Sequence, residues 1–301
     1  MRHFKFITLA AAATLTLASC GTTSTVPITG RKHTLLVSDS EVLSLSNKQY
    51  SEFMKTAKVS TNAQNTAMVK RVGQRLATAV ETYLNNNGLS SEVKNFSWEF
   101  NLVQNSEANA FCMPGGKIVV YEGILPITQN EASLAIVLGH EIAHAVAKHS
   151  AEQMSKKLRQ QYGTKIGGAL LGQVVGSSAA SVATQVAQTG FNLANLKYSR
   201  EDESEADHMG LIFAAMAGYD PEVAIPFWQR MSSGNSNKSD FLSDAALQAE
   251  MPEALKYYQA SGYAKTTQAT TRKTTTTKTT AKKTTTKKKA TTKKTTSTKK
   301  K

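Results

Sequence analysis

His140-Glu141-Ile142-Ala143-His144 decides how the rest of the chain is read. On a helix, residues i and i+4 share one face, one turn apart. His140 and His144 can therefore turn imidazole nitrogens toward one metal ion. Glu141 sits about 100° round the helix, beside the ion rather than on it, where a general base for a water molecule belongs. Ala132, Leu134, Ala135, Val137 and Leu138 before the motif, and Ala145, Val146 and Ala147 after it, agree with a buried helix. Paired histidines on an apolar helix can also be plain core residues, and two ligands do not complete a zinc site, which needs three or four.

A third ligand is sought downstream. Ser199-Arg200-Glu201-Asp202-Glu203-Ser204-Glu205-Ala206-Asp207 holds five acids. Glu203 is the best candidate, with Asp207 four residues on and so on the same face, able to accept a hydrogen bond from a ligand histidine. Spacing alone leaves the choice among the acids open, and such a cluster is also what a solvated helix face looks like. Two imidazoles, one carboxylate and an open position suit zinc, one ion per chain.

The N-terminus reads as an address. Arg2 and Lys5 form a basic start, Phe6 to Leu17 an apolar run, and Leu17-Ala18-Ser19-Cys20 a bacterial lipoprotein cleavage box. Residues 1–19 are then a signal peptide. Cys20 is the lipidation site, holding the mature chain to a membrane outside the cytoplasm. Gly21 in place of an aspartate favours the outer membrane over the inner. Cys112 is the other cysteine of the two, so no intrachain disulfide framework is expected once Cys20 is acylated. Gly21 to Arg31 is Thr/Ser-rich, and residues 20–39 read as an anchor linker.

Between residues 40 and 263 the pattern is that of one catalytic domain. Ser40 ahead of Glu41, Val42 and Leu43 suggests a capped helix running toward Thr56. Gln64 to Asn87 places Met68, Val69, Val72, Leu76, Val80 and Leu84 at helical spacing. Phe96 to Val103 alternates as a strand with one buried face, Met113-Pro114-Gly115-Gly116 is a turn, and Lys117 to Tyr121 is a second strand of the same small sheet. Asn130 caps the helix of His140. Ile166 to Leu196 has no charged residue but too many Ser, Thr and Gln for a membrane span. It reads as a helical excursion between the two metal-binding helices: a lid over the cleft, a segment resting on the membrane surface, or a buried pair of small-residue helices. Helices follow around Leu211 to Ala215, around Phe227 to Met231, and around Ala254 to Tyr258. The fold class expected is α+β, mostly helical.

Residues 264–301 are a Thr/Lys tail, read as disordered because it cannot bury enough apolar surface to fold. It carries 14 of the 36 basic residues and no acid, which leaves 22 basic against 22 acidic residues in the rest. The net charge of +14 therefore describes the tail and not the domain. Without aromatic residues for base stacking, the tail is a poor case for specific nucleic-acid binding. Lipid phosphates and acidic envelope polymers are its expected partners, a plain solvated spacer being the alternative.

Taken together, these residues resemble the zinc metalloendopeptidase family of the CAAX prenyl endopeptidase, HtpX and BepA. The resemblance rests on His140 to His144 with His149 beyond, on Ser199-Arg200-x-x-Glu203-x-x-Ala206-Asp207, and on Asn109-Ala110-Phe111 with Pro114-Gly115-Gly116. It runs from about Pro27 to Tyr258. It implies a zincin-like domain with a small sheet edging the active-site cleft, and an edge strand along which an extended substrate can pair. It implies Glu203 as the third ligand and Glu141 as general base. Its implied setting is the periplasmic side of a bacterial envelope, with protein or peptide substrates and a role in protein quality control. Arg200, Tyr198, His149 and His208 remain candidates for stabilising the oxyanion, with His149 left out of the metal shell. Relatives usually follow Phe-Leu-Ser with Thr-His-Pro; here Phe241-Leu242-Ser243 runs directly into Asp244-Ala245. A metal-binding scaffold or chaperone without turnover is the competing class, and the retained Glu141 argues against it.

Overall fold

A computed structural model describes residues 22–163, 191–233 and 244–263. The leader, the tail, most of the 166–196 excursion, and Phe241-Leu242-Ser243 lie outside the described residues.

The sheet is the divider of the molecule. Strand β3 (Glu99–Val103) runs parallel to β5 (Lys117–Tyr121), with Glu99 opposite Lys117 and Val103 opposite Tyr121. Strand β4 (Ala110–Met113) runs antiparallel to β5 on its other side, giving the order β3-β5-β4. Because side chains alternate along a strand, the sheet feeds two cores. Phe100, Leu102, Ala110, Cys112, Ile118 and Val120 face one. Val103, Phe111, Met113, Val119 and Tyr121 face the other. Every residue of β5 is buried, as a strand covered on both faces must be.

The first core is built by α2 (Ala63–Asn86), α5 (Glu131–Val146) and α7 (Arg200–Met216). Val69, Val72, Leu76, Val80 and Leu84 form the buried stripe of α2, at the three- and four-residue spacing that makes one helix face. Helices α8 (Ala224–Ser233) and α9 (Asp244–Ala260) close this side through Phe227, Trp228, Leu247 and Ala254. The second core lies under α1 (Asp39–Thr56) and α6 (His149–Gly163), with Phe191 and Leu193. Two single-turn helices, α3 (Ser90–Val93) and α4 (Leu125–Thr128), link the larger elements. The fold is α+β and mostly helical. No described helix is long and apolar enough to cross a membrane.

Three expectations are corrected. Helix α1 starts at Asp39, and its cap is Ser38, whose side chain accepts from the Glu41 amide while the Glu41 carboxylate accepts from Ser38 N. This reciprocal box fixes the start two residues earlier than the apolar pattern suggested. Strand β3 starts at Glu99, where pairing with Lys117 begins. Most consequentially, the stretch read as a linker is folded. Strands β1 (Thr22–Thr25) and β2 (Lys32–Leu35) form a hairpin, and Val26, Leu35, Leu36 and Val37 are core residues. The packed body therefore begins well ahead of residue 40. The Thr/Ser-rich composition hid this, because Val26 and Ile28 stand apart from the consecutive Leu35-Leu36-Val37 and the set shows no period.

Candidate metal centre

Helices α5 and α7 cross in contact at Gly139 and Gly210. A Cβ on Gly139 would lie 2.6 Å from the Gly210 carbonyl oxygen, and one on Gly210 would lie 2.5 Å from His140 N. Only two hydrogens fit where the backbones touch, and this approach carries the first turns of α7 onto the histidines. Each helix is fixed at its start. Asn130 Oδ1 accepts from Ser133 N at 2.8 Å. Ser199 Oγ accepts from Asp202 N at 3.2 Å, and Asp202 accepts from Ser199 N at 3.1 Å.

His140, His144 and Glu203 each bring a ligand atom to one point, all within 4.8 Å of one another. Glu203 Oε2 is 3.3 Å from His140 Nε2 and 3.8 Å from His144 Nε2. The two Nε2 atoms are 3.1 Å apart. Behind them, hydrogen bonds set the tautomers. His140 Nδ1–H donates to Asp207 Oδ1 at 2.8 Å. His149 Nε2–H donates to Glu205 Oε2 at 3.0 Å, which leaves His149 Nδ1 to accept from His144 Nδ1–H at 2.8 Å. Both ligand candidates thus present an Nε2 lone pair to the same point. Facing lone pairs repel unless a cation lies between them, so the donor set fits a divalent ion.

The electrostatics agree. Burial pulls His140 toward the neutral form, but Asp207 and Glu203 outweigh it and lift its pKa well above the ordinary value. Burial lowers His144 to about 3. Burial also works against the Glu203 charge, yet its hydrogen bonds to His140 and His144 hold it far below the usual carboxylate range. The two buried carboxylates favour a positive charge at this point, met by a proton on His140 in the metal-free protein and by a metal ion, once His140 is deprotonated, in the loaded one. Glu141 lies beside this cluster. Desolvation pushes it up to about 7, partly offset by His140 and by the Cys112 amide, which hydrogen-bonds to it.

Cys112 belongs to β4, so the cleft-side edge of the sheet is β4 and not Lys117–Tyr121. The latter is the central strand. No described strand pairs with the other edge of β4. Ala110 of β4, with Ile124, Val137, Phe227, Trp228 and Met231, lines an apolar pocket of about 80 Å³ beside His140 and Glu141.

The remaining candidates are distributed unevenly. Asp207 stands behind His140. His149 is fully buried behind His144. Tyr198 stacks on the His144 ring at 4.0 Å, its hydroxyl 3.0 Å from Ser150 Oγ. Arg200 is exposed and forms no ion pair among the described residues. With His208 it lines a different concavity, and His208 Nδ1 lies 3.4 Å from Glu250.

A second layer was missed by sequence reasoning. Glu205 also accepts from Arg31 Nε at 2.8 Å and from Thr29 Oγ1 at 2.5 Å. Arg31 continues to Glu152 at 3.0 Å, and Glu152 to His33 at 3.2 Å. A path of hydrogen bonds therefore runs from the N-terminal hairpin to His144. Arg31 and Glu205 are 174 positions apart, and no local spacing could have joined them. The glycine beside His140 and the glycine three residues past Asp207 were the visible signals of close helix contact.

A helix with two histidines and a glutamate, a second helix giving another glutamate, and an edge strand alongside define a zincin-like metallopeptidase domain. The chain belongs to peptidase family M48, whose family model matches residues 63–277. It is similar to the human "Metalloendopeptidase OMA1, mitochondrial", at 29% identity over 238 residues, 78% of this chain and 43% of that one. The Arabidopsis thaliana "Mitochondrial metalloendopeptidase OMA1" is 37% identical over 51% of this chain and 30% of its own length. The Escherichia coli "Beta-barrel assembly-enhancing protease" is 24% identical over 44% of this chain and 28% of its own. The chain spans less than half the length of each of these relatives.

Proposed function

We propose that the protein is a zinc-dependent endopeptidase of a bacterial cell envelope, cleaving misfolded or misassembled envelope proteins. The observation that carries this reading is the convergence of His140 Nε2, His144 Nε2 and a Glu203 oxygen within 4.8 Å, with Glu141 beside them. Zinc, when bound there, supplies Lewis acidity toward a water and the scissile carbonyl. Glu141 takes the proton from the attacking water and passes it to the leaving amine. A group raised to about 7 is suited to both transfers, since it accepts and releases a proton near neutrality. The free edge of β4 holds an extended peptide by backbone pairing. The pocket at Val137, Phe227 and Met231 takes an apolar side chain next to the cleaved bond.

The envelope address is supported by the leader ending in Leu17-Ala18-Ser19-Cys20, with a lipid on Cys20 on the periplasmic side of the outer membrane. The relatives named beta-barrel assembly-enhancing protease belong to bacteria, while those named mitochondrial support the chemistry rather than the address. The basic tail binds anionic envelope polymers in this reading. Unchanged envelope fractionation after deleting residues 265–301 would remove that element.

Metal content and casein cleavage of wild type beside Glu141→Gln test the reading. The expected result is about one zinc per chain in both proteins, with cleavage only in wild type and abolished by chelation. The absence of a Thr-His-Pro segment after Ser243 favours a second reading, a metal-binding scaffold. Zinc in both proteins with cleavage in neither would support it, and a wild type without zinc would defeat the central claim.

A further inference from the structure

Tyr198 stands one residue ahead of Ser199, whose side chain caps α7. Its ring lies flat against that of His144, with centroids 4.0 Å apart and planes 15° from parallel. Its hydroxyl is 3.0 Å from Ser150 Oγ, and Ser150 is a buried residue in the first turn of α6. One side chain therefore joins the start of α7 and the start of α6 to the last turn of α5.

A ligand imidazole must be held both in its plane and against tilting. Rotation about its Cβ–Cγ bond is broad, and one hydrogen bond in the ring plane leaves the ring free to tilt about that bond. His144 has such a bond, from Nδ1–H to His149 Nδ1 at 2.8 Å. The acceptor is an imidazole, whereas His140 donates to the Asp207 carboxylate. A hydrogen bond to a charged acceptor is roughly twice as strong, so His144 depends more on what packs against it. Tyr198 covers a face of the His144 ring and blocks the tilt that the His149 bond permits. Its hydroxyl is engaged by Ser150, and Tyr198 is not among the residues lining the pocket beside Glu141.

We propose that Tyr198 is a positioning residue for His144. Its ring holds the imidazole at the tilt that aims Nε2 at the shared metal position. Its hydroxyl anchors that ring to α6 and does not meet the substrate. This inference rests on the metal-centre reading, and it withdraws Tyr198 from the groups able to stabilise the oxyanion.

Two measurements on the full-length protein test it: zinc affinity by chelator competition, and visible absorption of the cobalt-substituted form. Tyr198→Leu removes the ring. Its zinc affinity should fall by about 10-fold, the lower end of the effect of removing support behind a metal ligand, and its cobalt bands should change. Those bands report ligand geometry, which a change in overall stability alone would not move. Tyr198→Phe keeps the ring and should keep both affinity and bands. Its kcat for casein at full zinc loading should match wild type, whereas loss of an oxyanion donor costs about 10²- to 10³-fold. Should Tyr198→Leu fail to fold, Tyr198→Met fills more of the same space without a ring, and the same loss is expected. Unchanged affinity and bands without the ring, or an equal loss in Tyr198→Phe, would overturn the positioning role. A drop of about 10²-fold in kcat for Tyr198→Phe at full loading would overturn the role given to the hydroxyl. A wild type that binds neither metal would defeat the metal-centre reading itself, and this inference with it.

Discussion

His149 Nδ1 lies 2.8 Å from His144 Nδ1, and neither ring can reach solvent to any extent. Five residues separate the two in sequence, so they do not share a helix face. Lys148, at φ 59°, makes the left-handed break between α5 and α6 that turns His149 back onto His144. The contact makes His149 an orienting group for the candidate ligand His144, positioned in turn by Glu205.

Asp207→Asn tests the corresponding support behind His140. The amide keeps the shape but weakens the acceptor that holds the His140 tautomer. Zinc affinity, measured by chelator competition, should fall by about 10- to 100-fold, as when outer-shell partners of ligand histidines are changed. Unchanged affinity would show that α7 holds Glu203 without help from this bond.

Arg31→Ala acts from farther away. It removes two hydrogen-bonded contacts, to Glu205 and Glu152, and leaves His149 and its carboxylate less firmly placed. Zinc retention should drop by about 10-fold, with Arg31→Lys recovering part of it. The circular dichroism spectrum should be unchanged, which separates loosening of the site from loss of fold.

The same network predicts an acid dependence in the metal-free protein. Burial opposes the Glu205 charge, yet His149, Arg31 and Thr29 hold its pKa down to about 2. Glu152 is held at about 2 as well. Both are depressed from 4.5, so their contribution to stability is complete above about pH 4.5. It is lost as pH falls toward 2. Denaturant midpoints across pH 5 to 2 should fall steeply in chelated wild type and less steeply in Arg31→Ala.

Gly210→Ala addresses the helix crossing. Its Cβ would stand 2.5 Å from His140 N, so α7 must back away from α5. Overpacking of this kind costs about 1–3 kcal/mol, which thermal unfolding should show. Zinc affinity should fall with it, because Glu203 and Asp207 ride on the displaced helix.

How much of this was legible beforehand depends on the range of the interaction. The i,i+4 histidines, the Asn130 cap and the stripe of α2 are local, and local spacing carried them. Glu203 could be preferred over its acidic neighbours only by resemblance, since Glu201, Asp202 and Glu205 lie within one turn of it. The structure gives Glu205 to Arg31, His149 and Thr29, and Asp202 to the helix cap. β4 was hidden for another reason. Ala110–Met113 is four residues long and buried on both faces, so it has no alternation to read. The hairpin at residues 22–35 owes its order to contacts more than a hundred positions away, which composition does not encode.

Arg31 ties the order of folding to the onset of activity. The bonds that steady His144 join the earliest described part of the chain to a helix that follows it by 174 positions. A chain still lacking α7 has neither Glu203 nor the anchor for Arg31, and so holds zinc poorly even with both histidines in place. Under the peptidase reading, the site is complete only once α7 has been made and packed. Clipping the hairpin from the finished protein would loosen the site again without touching any of the three candidate ligands.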